Sequence, residues 1–194
     1  MSSSEVTSLT PEVSKFLQLL VTKKYTSANN LLISDEITAR FLREYRDGLG
    51  RNILQKSLLA ADSTDQGSNL LIESLLKLMP SAATHASHNG NTALHFASAS
   101  STVDILQKIV KMSPVPCQQK KNTRGRTPLN IAAGSNLNTE TVGYLLFLSP
   151  AQLFVKDKKG ILPHQVRGSK LRIRDLQQQT ARSNVASNYS LHSS

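Results

Sequence analysis

Asn89-Gly90-Asn91-Thr92-Ala93-Leu94-His95-Phe96-Ala97 is followed, 35 residues on from glycine to glycine, by Arg124-Gly125-Arg126-Thr127-Pro128-Leu129-Asn130-Ile131-Ala132-Ala133. After another 35 residues comes a worn copy, Lys159-Gly160-Ile161-Leu162-Pro163-His164-Gln165-Val166. A weaker one precedes them: Leu49-Gly50-Arg51-Asn52-Ile53-Leu54-Gln55-Lys56. Self-similarity at this period marks a stack of supersecondary units, none of which can bury its apolar face alone.

A second marker runs in step with the first. Leu78-Met79-Pro80, Met112-Ser113-Pro114 and Leu148-Ser149-Pro150 each close an apolar run. From that proline to the next glycine is 10, 11 and 10 residues, and from glycine to the next proline 30, 24 and 25. The two intervals vary separately, so the extra residues of the first unit fall in the loop-like stretch Asp62–Ser68. Each unit reads as helix, turn, helix, with outer helices over Asn69–Met79, Val103–Met112 and Thr139–Leu148. The residue before a proline is biased away from α, which gives each outer helix a mechanical stop.

The phrase G-x-T-P-L-H-x-A, carried best by residues 90–97 and 125–133, resembles the ankyrin repeat. The resemblance implies an all-α solenoid of stacked helix-turn-helix units with short β-turn fingers, over residues 46–168. Its units would run about 46–85, 86–120, 121–155 and a partial 156–168. It further implies that His95 bridges backbone groups of neighbouring fingers, and that Leu94, Leu129, Ala97, Ala132 and Ala133 pack between helices. Gly90, Gly125 and Gly160 are expected to supply positive φ in the turns. Thr92 and Thr127 are expected to open helices, and Pro128 and Pro163 to sit in first turns, where no N–H is missed. The last unit departs most, with Leu162 and His164 for the expected Thr and Leu and Arg167-Gly168 for the paired alanines, as suits a terminal unit.

The flanks read differently. Residues 1–9 are Ser-rich and expected to fray. Residues 10–45 read as a divergent helical cap. Thr10-Pro11-Glu12 opens a helix with Val13, Phe16, Leu17 and Leu20 on one face, Ser27–Ile33 makes a second, and Asp35–Tyr45 a third. That third helix would be capped by Ser34 and carry Ile37, Phe41 and Leu42 on one side. Residues 169–179 suit a C-terminal helix, and the polar stretch 180–194 a disordered tail.

Composition narrows the function. One cysteine, Cys117, can neither staple a fold nor build a cysteine zinc site, and it reads as a small semi-buried side chain. No secretory signal, N-myristoylation site or membrane-spanning run is legible, so a soluble intracellular protein, cytoplasmic or nuclear, is expected. Gly48-Leu49-Gly50 lacks the third glycine of a dinucleotide loop, and Gly134-Ser135-Asn136 lacks the lysine of a phosphate loop. No nucleophile elbow, paired-carboxylate motif or metal-binding run is present. The expectation is a non-enzyme with no cofactor and no metal.

The charge is asymmetric. Net charge is +10; residues 1–100 hold nine Lys/Arg and nine Asp/Glu, residues 101–194 fourteen against four. In proteins that the chain resembles, partners contact the fingers and the exposed face of the inner helices. Carried over by position, the finger sites are Arg46 and Arg51 in the first unit and His88, Asn89 and Asn91 in the second. In the third they are Lys121, Thr123, Arg124 and Arg126, with Lys120 beside them, and in the fourth Lys156, Lys158 and Lys159. Stacking would make the third and fourth sets one basic stripe with only Asp157 nearby to compensate. Two functional readings follow: an acidic protein partner, or nucleic acid or another anionic phosphate on the same stripe. Against both stands the plain role of loop lysines in solubility. Interspersed cations at Arg167, Lys170, Arg172 and Arg174 extend the positive charge and permit a nuclear import signal.

Overall fold

The computed structural model describes residues 10–166 apart from 63, 101 and 136–138. The stretches 1–9, 167–168, 169–179 and 180–194, each given a role above, lie outside the described residues.

The chain builds α1 (Pro11–Val21), α2 (Tyr25–Ser34), α3 (Glu36–Glu44), α4 (Ile53–Ala60), α5 (Gln66–Leu78), α6 (Ala93–Ser100), α7 (Val103–Met112), α8 (Val115–Gln118), α9 (Pro128–Gly134) and α10 (Thr139–Leu148). Helices α4, α6 and α9 pack in succession as an inner row, and α5, α7 and α10 as an outer one. Each inner helix forms a hairpin with the outer helix that follows it, and α2 lies along α5. Among the described residues no strand forms.

Local chemistry sets the boundaries. The Thr10 hydroxyl accepts from the Val13 N–H at 3.4 Å, and Pro11 sits where no amide hydrogen is needed. Helix α1 then buries Val13, Phe16 and Leu20. Helix α3 is capped by Asp35, not Ser34: Asp35 Oδ1 accepts from the Ile37 N–H at 3.1 Å and its other oxygen from the Thr38 hydroxyl. Its buried face is Thr38, Ala39 and Leu42, leaving Ile37 and Phe41 outside. A threonine whose hydroxyl is already satisfied by Asp35 can be buried, and beside an alanine it allows close approach that Ile and Phe would block. The loop of the first unit is shorter than its composition suggested, because Asp65 caps α5 through the Ser68 N–H at 3.0 Å.

Each proline that ends an outer helix also begins another turn: a 3-10 turn at Pro80–Ala83, α8 after Pro114, and a 3-10 turn at Pro150–Phe154. The break lies in the preceding backbone, with Met79 at φ −137°, ψ 62° and Ser149 at φ −155°, ψ 85°. A proline stops the helix before it and pre-sets φ for the one after.

Burial is concentrated at equivalent positions. Leu54, Leu94 and Leu129 occupy the same place in three inner helices and are each at most 1% exposed. In the fourth unit His164 stands there, in a 3-10 turn (Pro163–Gln165) and only half-buried. At the far ends of the inner helices, the Ser100 hydroxyl donates to the Leu58 carbonyl at 3.0 Å. Cys117 is a free, half-buried thiol.

Leu129→Ala is expected to cost about 2–5 kcal/mol, the range for truncating a fully buried leucine between packed helices. Chemical unfolding of the two proteins measures it, and a difference below about 0.5 kcal/mol would mean the site collapses without loss.

Candidate functional site: the finger ladder

Between outer and inner helix each unit projects a tight turn closed twice by its own backbone. In the third unit the Asn122 N–H donates to the Arg126 carbonyl at 2.9 Å and the Gly125 N–H to the Asn122 carbonyl at 2.9 Å. The turns at 47–51, 87–91 and 157–161 repeat both bonds. The first residue of three turns locks them from within. Asp47, Asn122 and Asp157 each accept with Oδ1 from the N–H groups two and four residues on, at 2.8–3.0 Å. Ser87 takes that place in the second unit. The fourth residue is glycine each time, with φ between 68° and 77°. At Gly125 the missing side chain matters twice, because a Cβ would also stand 2.9 Å from the Lys158 nitrogen.

That approach builds the ladder. The His88 N–H donates to the Leu49 carbonyl at 3.0 Å, Thr123 to Asn89 at 3.0 Å, and Lys158 to Arg124 at 2.9 Å. A second set of rungs comes from the inner helices. His95 Nδ1 accepts from the Thr92 N–H at 3.2 Å and its hydroxyl at 2.9 Å, so Nε2 carries the proton and donates to the Arg126 carbonyl at 3.1 Å. Thr92 thus opens α6 through this imidazole and not by capping a helical amide directly. Gln55 does the same work one unit earlier, accepting from the Asn52 N–H at 3.2 Å and donating to the carbonyls of His85 at 2.7 Å and Asn91 at 3.2 Å. Asn130, next in the series, accepts from the Thr127 N–H and hydroxyl, but its buried Nδ2 has no partner among the described residues. It is one methylene shorter than Gln, and the rung is not made.

The ladder sorts the predicted contact residues into two groups. Arg51 is half-buried against Asp47, with Nε and Nη2 at 2.7 and 2.6 Å, and Lys56 approaches the same carboxylate at 3.8 Å. Arg126 is likewise half-buried, its Nε 3.4 Å from Asp157, whose side chain is 4% exposed. The Asn91 side chain accepts from Asn122 Nδ2 at 2.8 Å, and the Thr123 hydroxyl donates to the Asn89 carbonyl at 3.1 Å. Arg51 thus braces its own turn, while Arg126, Asn91 and Thr123 tie neighbouring fingers together. Lys120, Lys121, Arg124, Lys156, Lys158 and Lys159 are exposed, and none has a carboxylate within ion-pair distance among the described residues. His88, Asn89 and Arg46 are exposed at the other end of the row. The locking role of Asp47, Asn122 and Asp157 was missed in the sequence, although its signal is there: an Asp or Asn three residues before the turn glycine.

Electrostatics follow the same division. Burial pushes the His95 imidazole down to about 4, while the carbonyls of Arg126 and Lys120 pull the other way. His95 is therefore neutral at pH 7 and acts as a fixed donor and acceptor. Hydrogen bonding from Ile161, against some desolvation, and then from Lys159 and Arg126, holds the Asp157 carboxyl below its usual value. At Asp47 burial raises the value, but the Arg51 side chain and the N–H groups of Arg51 and Leu49 more than offset it. Among the described residues no group of three His, Cys, Asp or Glu could hold a metal ion.

A family profile of three ankyrin repeats matches residues 57–157, and the chain belongs to the ankyrin repeat family. Ankyrin repeats generally mediate protein–protein interaction. No curated protein matches the chain. Among the described residues no helix is long and apolar enough to cross a membrane.

Two substitutions test the ladder. A buried neutral histidine contributes stability that is present above its unfolded value of 6.5 and lost as pH falls toward about 4. His95→Gln is expected to keep the rung, as Gln55 does, and to flatten the fall in unfolding free energy between those pH values. The loss that remains below about pH 4, from Asp47 and Asp157, is unchanged. Asn130→Gln should reach the last finger and raise stability by about 0.5–1.5 kcal/mol. A drop would show that the finger lies beyond its grasp.

Proposed function

We propose that the chain is a non-catalytic interaction module whose third and fourth fingers receive an acidic protein partner. The observation that carries this reading is the bond from the Lys158 N–H to the Arg124 carbonyl at 2.9 Å, which sets two fingers of exposed cations side by side. Lys121, Arg124, Lys156, Lys158 and Lys159 lie on those fingers, unmatched by a carboxylate among the described residues. Like charges held together at a surface repel, and a partner supplying negative charge relieves that repulsion. Such complementarity acts chiefly on the association rate.

Nucleic acid is the competing ligand class for the same cations. The turns at 47–51, 87–91, 122–126 and 157–161 contain no Phe, Tyr or Trp on which a base could stack. A duplex or single strand would therefore be held by charge alone, without sequence readout.

Reversing Arg124 and Lys158 to Glu is expected to leave the unfolding free energy within about 0.5 kcal/mol, since neither side chain supports the ladder. Binding to an acidic partner captured with the wild-type protein should weaken through slower association, and its dependence on salt should shrink. Titrations of both proteins at two ionic strengths read this out. Equal affinities and equal salt slopes would assign the cations to solubility and move the partner site to the inner helices. Salt-steep retention of DNA of any sequence, with no protein partner recovered, would favour the second ligand class.

A further inference from the structure

The last outer helix departs from the two before it on one flank. Aligned on the proline that ends each outer helix, Glu73 of α5, Gln107 of α7 and Gly143 of α10 are equivalent, and so are Lys77, Lys111 and Phe147 one turn on. Glu73 pairs with Lys108 of α7, so this flank of an outer helix faces the outer helix of the following unit. The two earlier helices carry polar or charged side chains there. Helix α10 carries a half-buried glycine and a phenylalanine that is 72% exposed. It packs against α9 and α7, and among the described residues the fourth unit has its 3-10 turn at Pro163–Gln165 but no outer helix.

Both residues are unfavourable choices for a flank left in water. Glycine inside a helix loses more backbone freedom on folding than any other residue, and what it gives in return is close approach of a neighbour. An exposed phenylalanine keeps a large apolar ring in solvent. Phe147 is four residues on from Gly143 and lies beside it on the same face. Together they suit an apolar neighbour that meets the backbone at Gly143 and covers the ring.

The chain supplies such a neighbour at the right place. The described chain ends at Val166, whose Cγ1 lies 2.8 Å from where a Cβ of Gly134 would stand. Gly134 closes α9 and α10 begins at Thr139, so the following residues start from the corner where the earlier units turn from inner to outer helix. Beyond Val166, Leu171, Ile173 and Leu176 fall within six positions, whereas Val185, Tyr189 and Leu191 are scattered. From Val166 to Leu171 an extended chain spans about 17 Å, against about 8–10 Å between packed helices, so Leu171 reaches α10. The other terminal stretch outside the described residues, 1–9, leads into α1 at the opposite end of the solenoid.

We infer that Leu171, Ile173 and Leu176 dock on the Gly143–Phe147 flank of α10. The residues after Val166 then complete the fourth unit, and they close the array with an apolar contact where the boundary between α5 and α7 uses an ion pair. The inference does not depend on the finger cations.

Hydrogen exchange of the full chain, read by mass spectrometry, tests this. Amides of residues 170–176 should exchange at least about tenfold slower than their intrinsic rate. Phe147→Lys places there the residue of the two earlier helices, and Gly143→Glu that of α5. Each should bring residues 170–176 to within about twofold of the intrinsic rate, while circular dichroism shows the array still folded. Leu171→Ser with Ile173→Ser should speed exchange in α10 about threefold or more and leave α4 unchanged. Val185→Ser should change neither. Should a substitution in α10 unfold the array, the Leu171 and Ile173 double variant decides. Residues 170–176 exchanging at the intrinsic rate in wild type, or protection that survives both α10 substitutions, overturns the proposal. Light scattering then identifies the other occupants. A dimer that Phe147→Lys dissociates, with residues 170–176 unprotected, would assign the flank to a second copy of the chain. A monomer with the same residues unprotected would leave it to a different protein.

Discussion

The structure depends on one constraint: the backbone of each finger is completed by the next. A tight turn leaves an N–H and a carbonyl on its edge. Here the edge carbonyls of Leu49, Asn89 and Arg124 are met by the N–H groups of His88, Thr123 and Lys158. That contact requires the chains to meet at a spacing that a Cβ at residue 125 would obstruct. Gly50, Gly90 and Gly125 therefore serve the neighbouring unit as well as their own turn. Helix packing alone would let units slide along one another, because apolar contact has no direction. The backbone rungs fix the register, and buried leucines at 54, 94 and 129 fill the space so defined.

The side-chain rungs show how a repeat tolerates substitution. What the position three residues after the helix opening must do is accept from one unit and donate to the next. Imidazole in the Nε2–H form and a glutamine amide both span that distance, and so His95 and Gln55 are interchangeable in chemistry though unlike in shape. Asparagine satisfies the near side and falls short of the far one. The last described unit is thus tied to its neighbour by the Lys158–Arg124 backbone bond and the Arg126–Asp157 pair, without the third tie that the earlier boundaries have. Leu162 and His164, in place of Thr and Leu, are consistent with a boundary under weaker packing demands.

Much of this was legible from residues alone, for identifiable reasons. The period, the turn glycines and the inner leucines are each enforced by geometry that only one or two residue types satisfy, so they recur visibly. The α3 face was not legible, since Thr38 is buried by virtue of its bond to Asp35, an interaction that hydrophobic spacing does not register. The extra turns after Pro80, Pro114 and Pro150 were missed because proline signals a stop and a start with the same chemistry. On the fingers, position identified which residues belong to the turns. It did not tell a free cation from a structural one, because Arg124 and Arg126 are two residues apart and face opposite duties. Gly125 between them, at φ 73°, reverses the backbone, so that one arginine stays outside and the other folds against the carboxylate of the next finger.

That last distinction explains why Asp157 does not neutralise the basic surface. Its Oδ1 accepts two backbone amides and its Oδ2 receives Arg126, and at 4% exposure it offers little field to the solvent side. An acid placed on the surface instead would screen Lys158 and Lys159 directly. Here the single acid of the fourth finger is spent inside the turn, and the same folding that buries it leaves the lysines outside without a counter-charge among the described residues. That the exposed lysines of this finger lack an acid beside them is therefore a consequence of how the finger is built as much as of its composition. Any substitution that freed Asp157 from Arg126 would weaken the surface charge and the turn together.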